Sequence, residues 1–142
     1  MKKYIKNSIV PISEEDVLSR MIIAGNTDDP DILRELASDP DDDVRISVAD
    51  NEHTPIDVLR LLAEDDMADF AVARNPKTPI DLLEELSENG DTAVRYSVAE
   101  NLNTPPYLLY QLSRYDPSGE VRQAAWDNQS YDHNEYGWGF KG

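Results

Sequence analysis

The stretch "NPKTPIDLLEELSENGDTAVRYSVAEN", Asn75 to Asn101, holds two helix-length segments and the punctuation between them. Thr78-Pro79 has the composition of a helix start, with Thr as N-cap and Pro at the first helical position, where its missing N–H costs nothing. Asp81 follows three residues after the threonine, placed to support the cap and to favour the positive end of the helix dipole. Leu82, Leu83 and Leu86 lie three, four and seven residues after the proline, which is one face of a helix. In the second segment Val94 and Val98 stand four residues apart with small Ser97 beside them. Its closing Asn101 suits a left-handed C-cap.

The same phrase occurs on either side, as "NEHTPIDVLRLL" (Asn51 to Leu62) and "NLNTPPYLLYQL" (Asn101 to Leu112). Pro30, Pro55, Pro79 and Pro105 are 25, 24 and 26 residues apart. A period of this size signals a solenoid, in which each unit stacks its apolar face on the next. The apolar positions repeat with it: Val58, Leu59 and Leu62, then Leu108, Leu109 and Leu112, and one residue earlier in the first unit Ile32, Leu33 and Leu36. Thr54 and Thr104 match Thr78 as caps, Asp57 matches Asp81, and Asp29 caps before Pro30. The second helix recurs as "VRISVADN" from Val44, "ADFAVARN" from Ala68 and "VRQAAWDN" from Val121, closing on Asn51, Asn75 and Asn128. Ser47, Ala71 and Ala124 are small, which lets helices approach closely. A degenerate unit precedes these. Ser13-Glu14-Glu15-Asp16 reads as a capping box, and "SRMIIAGN" places Arg20, Ile23 and Asn26 in register. The expected fold is all-α, a right-handed α-solenoid of about four and a half two-helix repeats of 24–26 residues. It spans residues 13–128, between a basic N-terminal segment (1–12) and an aromatic, Gly-containing tail (129–142) expected to cap the last repeat.

The motif Asn-Pro-x-Thr-Pro-x-x-Leu-Leu-x-x-Leu followed by Val-Arg-x-x-Val-Ala-x-Asn resembles the variant leucine-rich repeat, a HEAT-like α-solenoid family. The resemblance covers about residues 13 to 128. It implies a stacked superhelix and a binding role, and it implies no reaction. Some members carry an iron–sulfur cluster on a cysteine-bearing segment. This chain has no cysteine, so that feature does not transfer.

At 142 residues the chain fits one domain with a core that needs no staples. The absence of cysteine excludes disulfides, Cys-ligated zinc and iron–sulfur clusters, and leans toward the cytoplasm. The start, "MKKYIKNSIVPISEED", is not expected to be a signal peptide. No run approaches the ~20 apolar residues of a membrane span. The 13 basic and 29 acidic residues leave a net charge of −16. Because Lys2, Lys3 and Lys6 precede every acid, the chain from residue 8 onward carries −19. Such a body repels nucleic acid and anionic lipid and attracts basic surfaces. The expected partner is a basic protein, including one that itself binds nucleic acid, with no direct nucleic acid and no membrane.

No motif points to catalysis, a metal or a cofactor. His53 and His133 are isolated and lack metal-ligand spacing. "DPDDDVR" (Asp39 to Arg45) lacks the loop length and ligand spacing of an EF-hand. There is no Gly-rich phosphate loop and no serine nucleophile elbow. The column Arg20, Arg45, Arg95 and Arg122, interrupted by Asp69, reads as a set of stems and charges that pair with acids and bridge repeats. An anion-binding ladder is its alternative.

Two surfaces are candidates for binding. The turns between the paired helices carry Asp39, Asp41, Asp42 and Asp43; Glu64, Asp65, Asp66 and Asp69; Glu88 and Asp91; and Asp116 and Glu120. With helices stacked ~8–10 Å apart, these form an acidic ridge ~30 Å long, close to the ~34 Å turn of duplex DNA. Helix capping and solvation account for the same acids without a partner. The second candidate is an apolar ladder of Ile46, Phe70 and Tyr96, which is core if the second helix is wedged between units. The tail aromatics Tyr131, Tyr136, Trp138 and Phe140 either shield the last unit or anchor a partner. The reading is a non-catalytic protein-binding solenoid whose acidic surface engages a basic partner. A nucleic-acid mimic that inhibits a DNA- or RNA-binding protein, as a phage-type or defence antagonist does, is the alternative. A HEAT-like nucleic-acid enzyme is a weaker one, since it needs a cationic track.

Overall fold

Leucines at helical spacing turn inward, and they set the frame of the computed structural model. It describes residues 16–133 together with the backbone of Lys3–Tyr4 and Pro11–Ile12. Among these residues nine helices follow in order: α1 (Val17–Asn26), α2 (Pro30–Leu36), α3 (Asp42–Asp50), α4 (Ile56–Leu62), α5 (Asp69–Arg74), α6 (Ile80–Ser87), α7 (Thr92–Glu100), α8 (Pro106–Tyr115) and α9 (Gly119–Asp127). Before them β1 (Lys3–Tyr4) pairs antiparallel with β2 (Pro11–Ile12), Lys3 opposite Ile12. The helical body agrees with the all-α expectation, and this short ladder adds to it. Ser13, Glu14 and Glu15 of the expected capping box lie outside the described residues. Asp16 precedes α1 without a side-chain cap bond.

The core is the one the period marks. Leu33, Leu36, Val58, Leu59, Leu62, Leu82, Leu83, Leu86, Leu108, Leu109 and Leu112 are buried, with Ile32 half-buried beside them. Each fully buried leucine contributes roughly 2 kcal/mol relative to exposure. The three of α6 therefore outweigh the marginal intrinsic stability of an eight-residue helix. The odd-numbered helices form a row, α1 on α3, α3 on α5, α5 on α7 and α7 on α9. Their facing positions are small or β-branched: Ala24, Val48, Ala49, Ala71, Ala73, Val98, Ala99 and Ala125, all buried. Each even helix leans on its neighbours, most closely α8 on α9 and α6 on α7. No helix of the described residues is long and apolar enough to cross a membrane.

The polar punctuation works differently from its local reading. Thr54, Thr78 and Thr104 are not N-caps, since Pro55, Pro79 and Pro105 take the cap position of α4, α6 and α8. Each threonine is buried, and its hydroxyl donates backwards to a carbonyl of the preceding helix: Thr54 to Val48, Thr78 to Val72 and Thr104 to Val98, at 2.6 to 2.7 Å. Asp57 and Asp81 are not capping-box residues either. They pair with Arg34 of α2 and Arg60 of α4, two helices back in each case. Asp29 does cap α2, accepting from the Asp31 amide.

The closing asparagines have extended backbone, φ −75° at Asn51 and −69° at Asn75, so they are not left-handed caps. Their side chains join units instead. The Asn75 amide donates to the Ala49 and Asn51 carbonyls at 2.7 and 3.0 Å and accepts from the Lys77 N–H. Asn101 does the same to Ala73 and Asn75, Asn128 to Ala99 and Asn101, and Asn51 to Ala24 and Thr27. Each buried amide thus spends both donors and its acceptor on backbone, which satisfies helix-end carbonyls that burial would otherwise strand. Asn26 lies outside this chain of contacts: it is exposed and bonds its own helix at Ile22.

Tyr131 is buried at the end of α9, edge-on to Trp126 with centroids 6.2 Å apart. Tyr136, Trp138 and Phe140 lie outside the described residues.

Candidate binding surface

The arginine column is used up by structure. Arg20 donates to both Asp39 carboxylate oxygens, at 2.7 and 3.2 Å, and the pair is fully buried. Arg45 bonds Asp65 at 2.7 Å, the Asp39 carbonyl at 2.8 Å and the carboxylate of Asp42. Arg95 bonds Asp116 at 2.8 Å and the Asn89 carbonyl, and Arg122 bonds the Asp116 carbonyl at 2.6 Å. Arg45 and Arg95 therefore link the turn before their own helix to the turn of the next unit, Arg20 reaches the turn of the next unit, and Arg122 holds its own turn. Such bidentate, partly buried contacts suit the planar guanidinium. The pairing reading accounts for Arg20, Arg45 and Arg95, whereas Arg122 bonds a backbone carbonyl. At Asp65 burial works against the charged form, but the Arg45 and Met67 hydrogen bonds outweigh it and hold the carboxyl below its usual range.

These bonds sort the acidic ridge. Asp39 and Asp116 are buried in ion pairs. Asp65 and Asp42 pair with Arg45. Asp41 and Asp91 are N-caps of α3 and α7, accepting from the Asp43 and Ala93 amides. Asp69 is buried at the start of α5. Exposed, and with no ion pair among the described residues, stand Asp43, Glu64, Asp66, Glu88 and Glu120. Their turns stand side by side, because Arg45 and Asn89 each tie a helix start to the neighbouring turn.

Asp69 breaks the column. It stands where the other units have arginine, 4 % exposed, and accepts from Asn89 Nδ2 at 3.3 Å through Oδ2. Its other oxygen is buried without a partner. Burial pushes its pKa up, and Asp66 and Asp91 add to the shift against hydrogen bonds from the Phe70 amide and Asn89. Among the described residues no group of three His, Cys, Asp or Glu side chains is arranged to hold a metal.

Of the apolar column, Ile46 and Phe70 are half-buried against the core, whereas Tyr96 is exposed. Arg74 lies over the Phe70 ring, 5.0 Å from its centroid, and binds Asp50 of α3 through Nε at 2.6 Å. Between α7 and α9 the row opens into a groove of 1130 Å³ whose lining includes Tyr96, Leu102, Glu100, Glu120 and Asp127. Residues before the closing asparagines, Asp50, Arg74, Glu100 and Asp127, were not singled out by sequence. The signal was present as one basic residue in a column of acids. No family model, curated protein or solved structure matches this chain.

Proposed function

We propose that the chain is a right-handed α-solenoid of the variant leucine-rich, HEAT-like kind, about four and a half repeats long. It works without catalysis, by engaging a basic partner protein through its acidic surface. The recurring Asn, Thr and Arg contacts between successive units support the solenoid. The observation that carries the function is the sorting of charge. Asp39, Asp42, Asp65 and Asp116 each meet an arginine, and Asp41 and Asp91 a backbone amide, yet Asp43, Glu64, Asp66 and Glu88 crowd adjoining turns with no ion pair among the described residues. A surface that keeps unneutralised like charge attracts partners of opposite charge and raises their association rate, with steep salt dependence.

The test is affinity capture from the native host at low and high salt, with the eluate identified. The expected partner is basic and released by salt. A four-site variant (D43N, E64Q, D66N, E88Q) removes charge but no structural bond, so it is expected to lose that partner at unchanged helicity. Retention of the partner by this variant overturns the reading. Competition by DNA or RNA distinguishes nucleic-acid mimicry from general protein binding.

A further inference from the structure

The groove between α7 and α9 is lined in part by apolar and small residues. Leu102 is 62 % exposed, and Tyr96, Ala93 and Ala124 line the groove with it. The charged residues of the lining, Glu100, Glu120 and Asp127, are all acidic. Glu100 and Asp127 are the last residues of α7 and α9, where the negative end of the helix dipole disfavours a carboxylate. Their places in the chain therefore cost stability rather than add to it. Gln123 donates to Asp127, and hydrogen bonding to Glu100 pushes the Tyr96 phenol up; neither contact brings a positive charge.

The molecule contains its own precedent for what such a place accepts. At the same register one row back, Arg74 ends α5, lies against the ring of Phe70 and pairs with Asp50 at the end of α3. Tyr96 is the counterpart of Phe70, and Glu100 and Asp127 are counterparts of Arg74. Where α3 and α5 carry an acid and a base, α7 and α9 carry two acids beside an exposed ring. A guanidinium on an aromatic face between carboxylates is favourable on both counts.

We propose that the α7–α9 groove docks a peptide segment of a partner protein that places an arginine over Tyr96, between Glu100 and Asp127, with an aliphatic neighbour against Leu102. This rests on the basic-partner reading and assigns it a site. The probe is a fluorescent Gly-Leu-Arg-Leu-Arg-Gly peptide, titrated against the full chain by anisotropy and by amide NMR. A twin with citrulline at both arginines keeps the shape without the charge. The expected result is saturable binding with shifts centred on Tyr96, Glu100, Leu102 and Gln123. Affinity is expected to fall about tenfold in the E100Q/D127N variant and for the citrulline twin, to persist in Y96F and to drop in Y96A. Unchanged affinity in E100Q/D127N, shifts centred on the Glu64–Met67 turn, or no binding overturns the groove. None of the four sites neutralised in the capture experiment lines it, so the acidic-surface reading stands or falls separately.

Discussion

The α4–α5 and α6–α7 pairs are built on one plan and differ by two residues. In the longer turn, Asn89 to Ala93, Asp91 caps α7 and Arg95 reaches forward to Asp116. In the shorter turn, Asp65 to Ala68, the cap position falls on Ala68, which has no side-chain acceptor, and α5 has six residues against nine in α7. The arginine position becomes Asp69, and the direction of the contact reverses. Asn89 of the next turn now donates to the helix, where Arg95 donates from the helix to the next turn. The difference teaches that the joint requires a hydrogen bond between a helix start and the neighbouring turn, and accepts either partner as donor. Shortening left one carboxylate oxygen stranded at the α5 joint.

The largest effect is expected from reversing the α7 joint. R95D sets two carboxylates together where Asp116 is buried, at a cost of about 4 kcal/mol in urea unfolding. Adding D116N recreates the Asp69–Asn89 pairing and is expected to recover about half. If the double variant is no more stable than R95D, the two joints are not equivalent. N75A and N101A test what the joints share. Each removes three bonds from a buried amide, and each is expected to cost about 3 kcal/mol. Unequal losses in the two variants would mean that the asparagine contacts are not one repeated device.

D69N is expected to stabilise the chain by about 1 kcal/mol at neutral pH, by removing a buried charge with a stranded oxygen. The pKa of Asp69 is raised in the folded state, so the fold binds its proton more tightly than the unfolded chain does. The contribution of Asp69 to stability is then fully present below the ordinary carboxylate range and is lost as pH rises through the folded value. The gain from D69N should vanish in acid, and a gain independent of pH contradicts this origin. The smallest effect belongs to the solvent-facing pair. R60Q breaks the bond to Asp81 in open water and is expected to leave the unfolding midpoint unchanged. A clear drop would show that the outer ion pairs hold the units together as the inner ones do.

Much of this was legible along the chain. The leucine triplets and the pairing of Arg45 and Arg95 with acids follow from spacing and charge, because periodicity reports which face is buried. Thr78 and Asn75 were misread for one reason. Rules for caps assume partners within a few residues. The hydroxyl of Thr78 instead finds Val72, and the amide of Asn75 finds carbonyls 24 and 26 residues back. Of the ridge acids, Asp39 and Asp116 looked like Asp43 and Asp66 in sequence. Only packing distinguishes a carboxylate locked under an arginine from one left in water.

The sequence by itself determined the period, the helical body, the buried faces and the surplus of negative charge, since each depends on residue type and spacing alone. The tertiary structure decided which acids are spent on structure, which direction each joint's hydrogen bond runs, and that Tyr96, Glu100 and Asp127 line one groove. These depend on groups that meet only when helices two elements apart come into contact, and no local rule contains that distance.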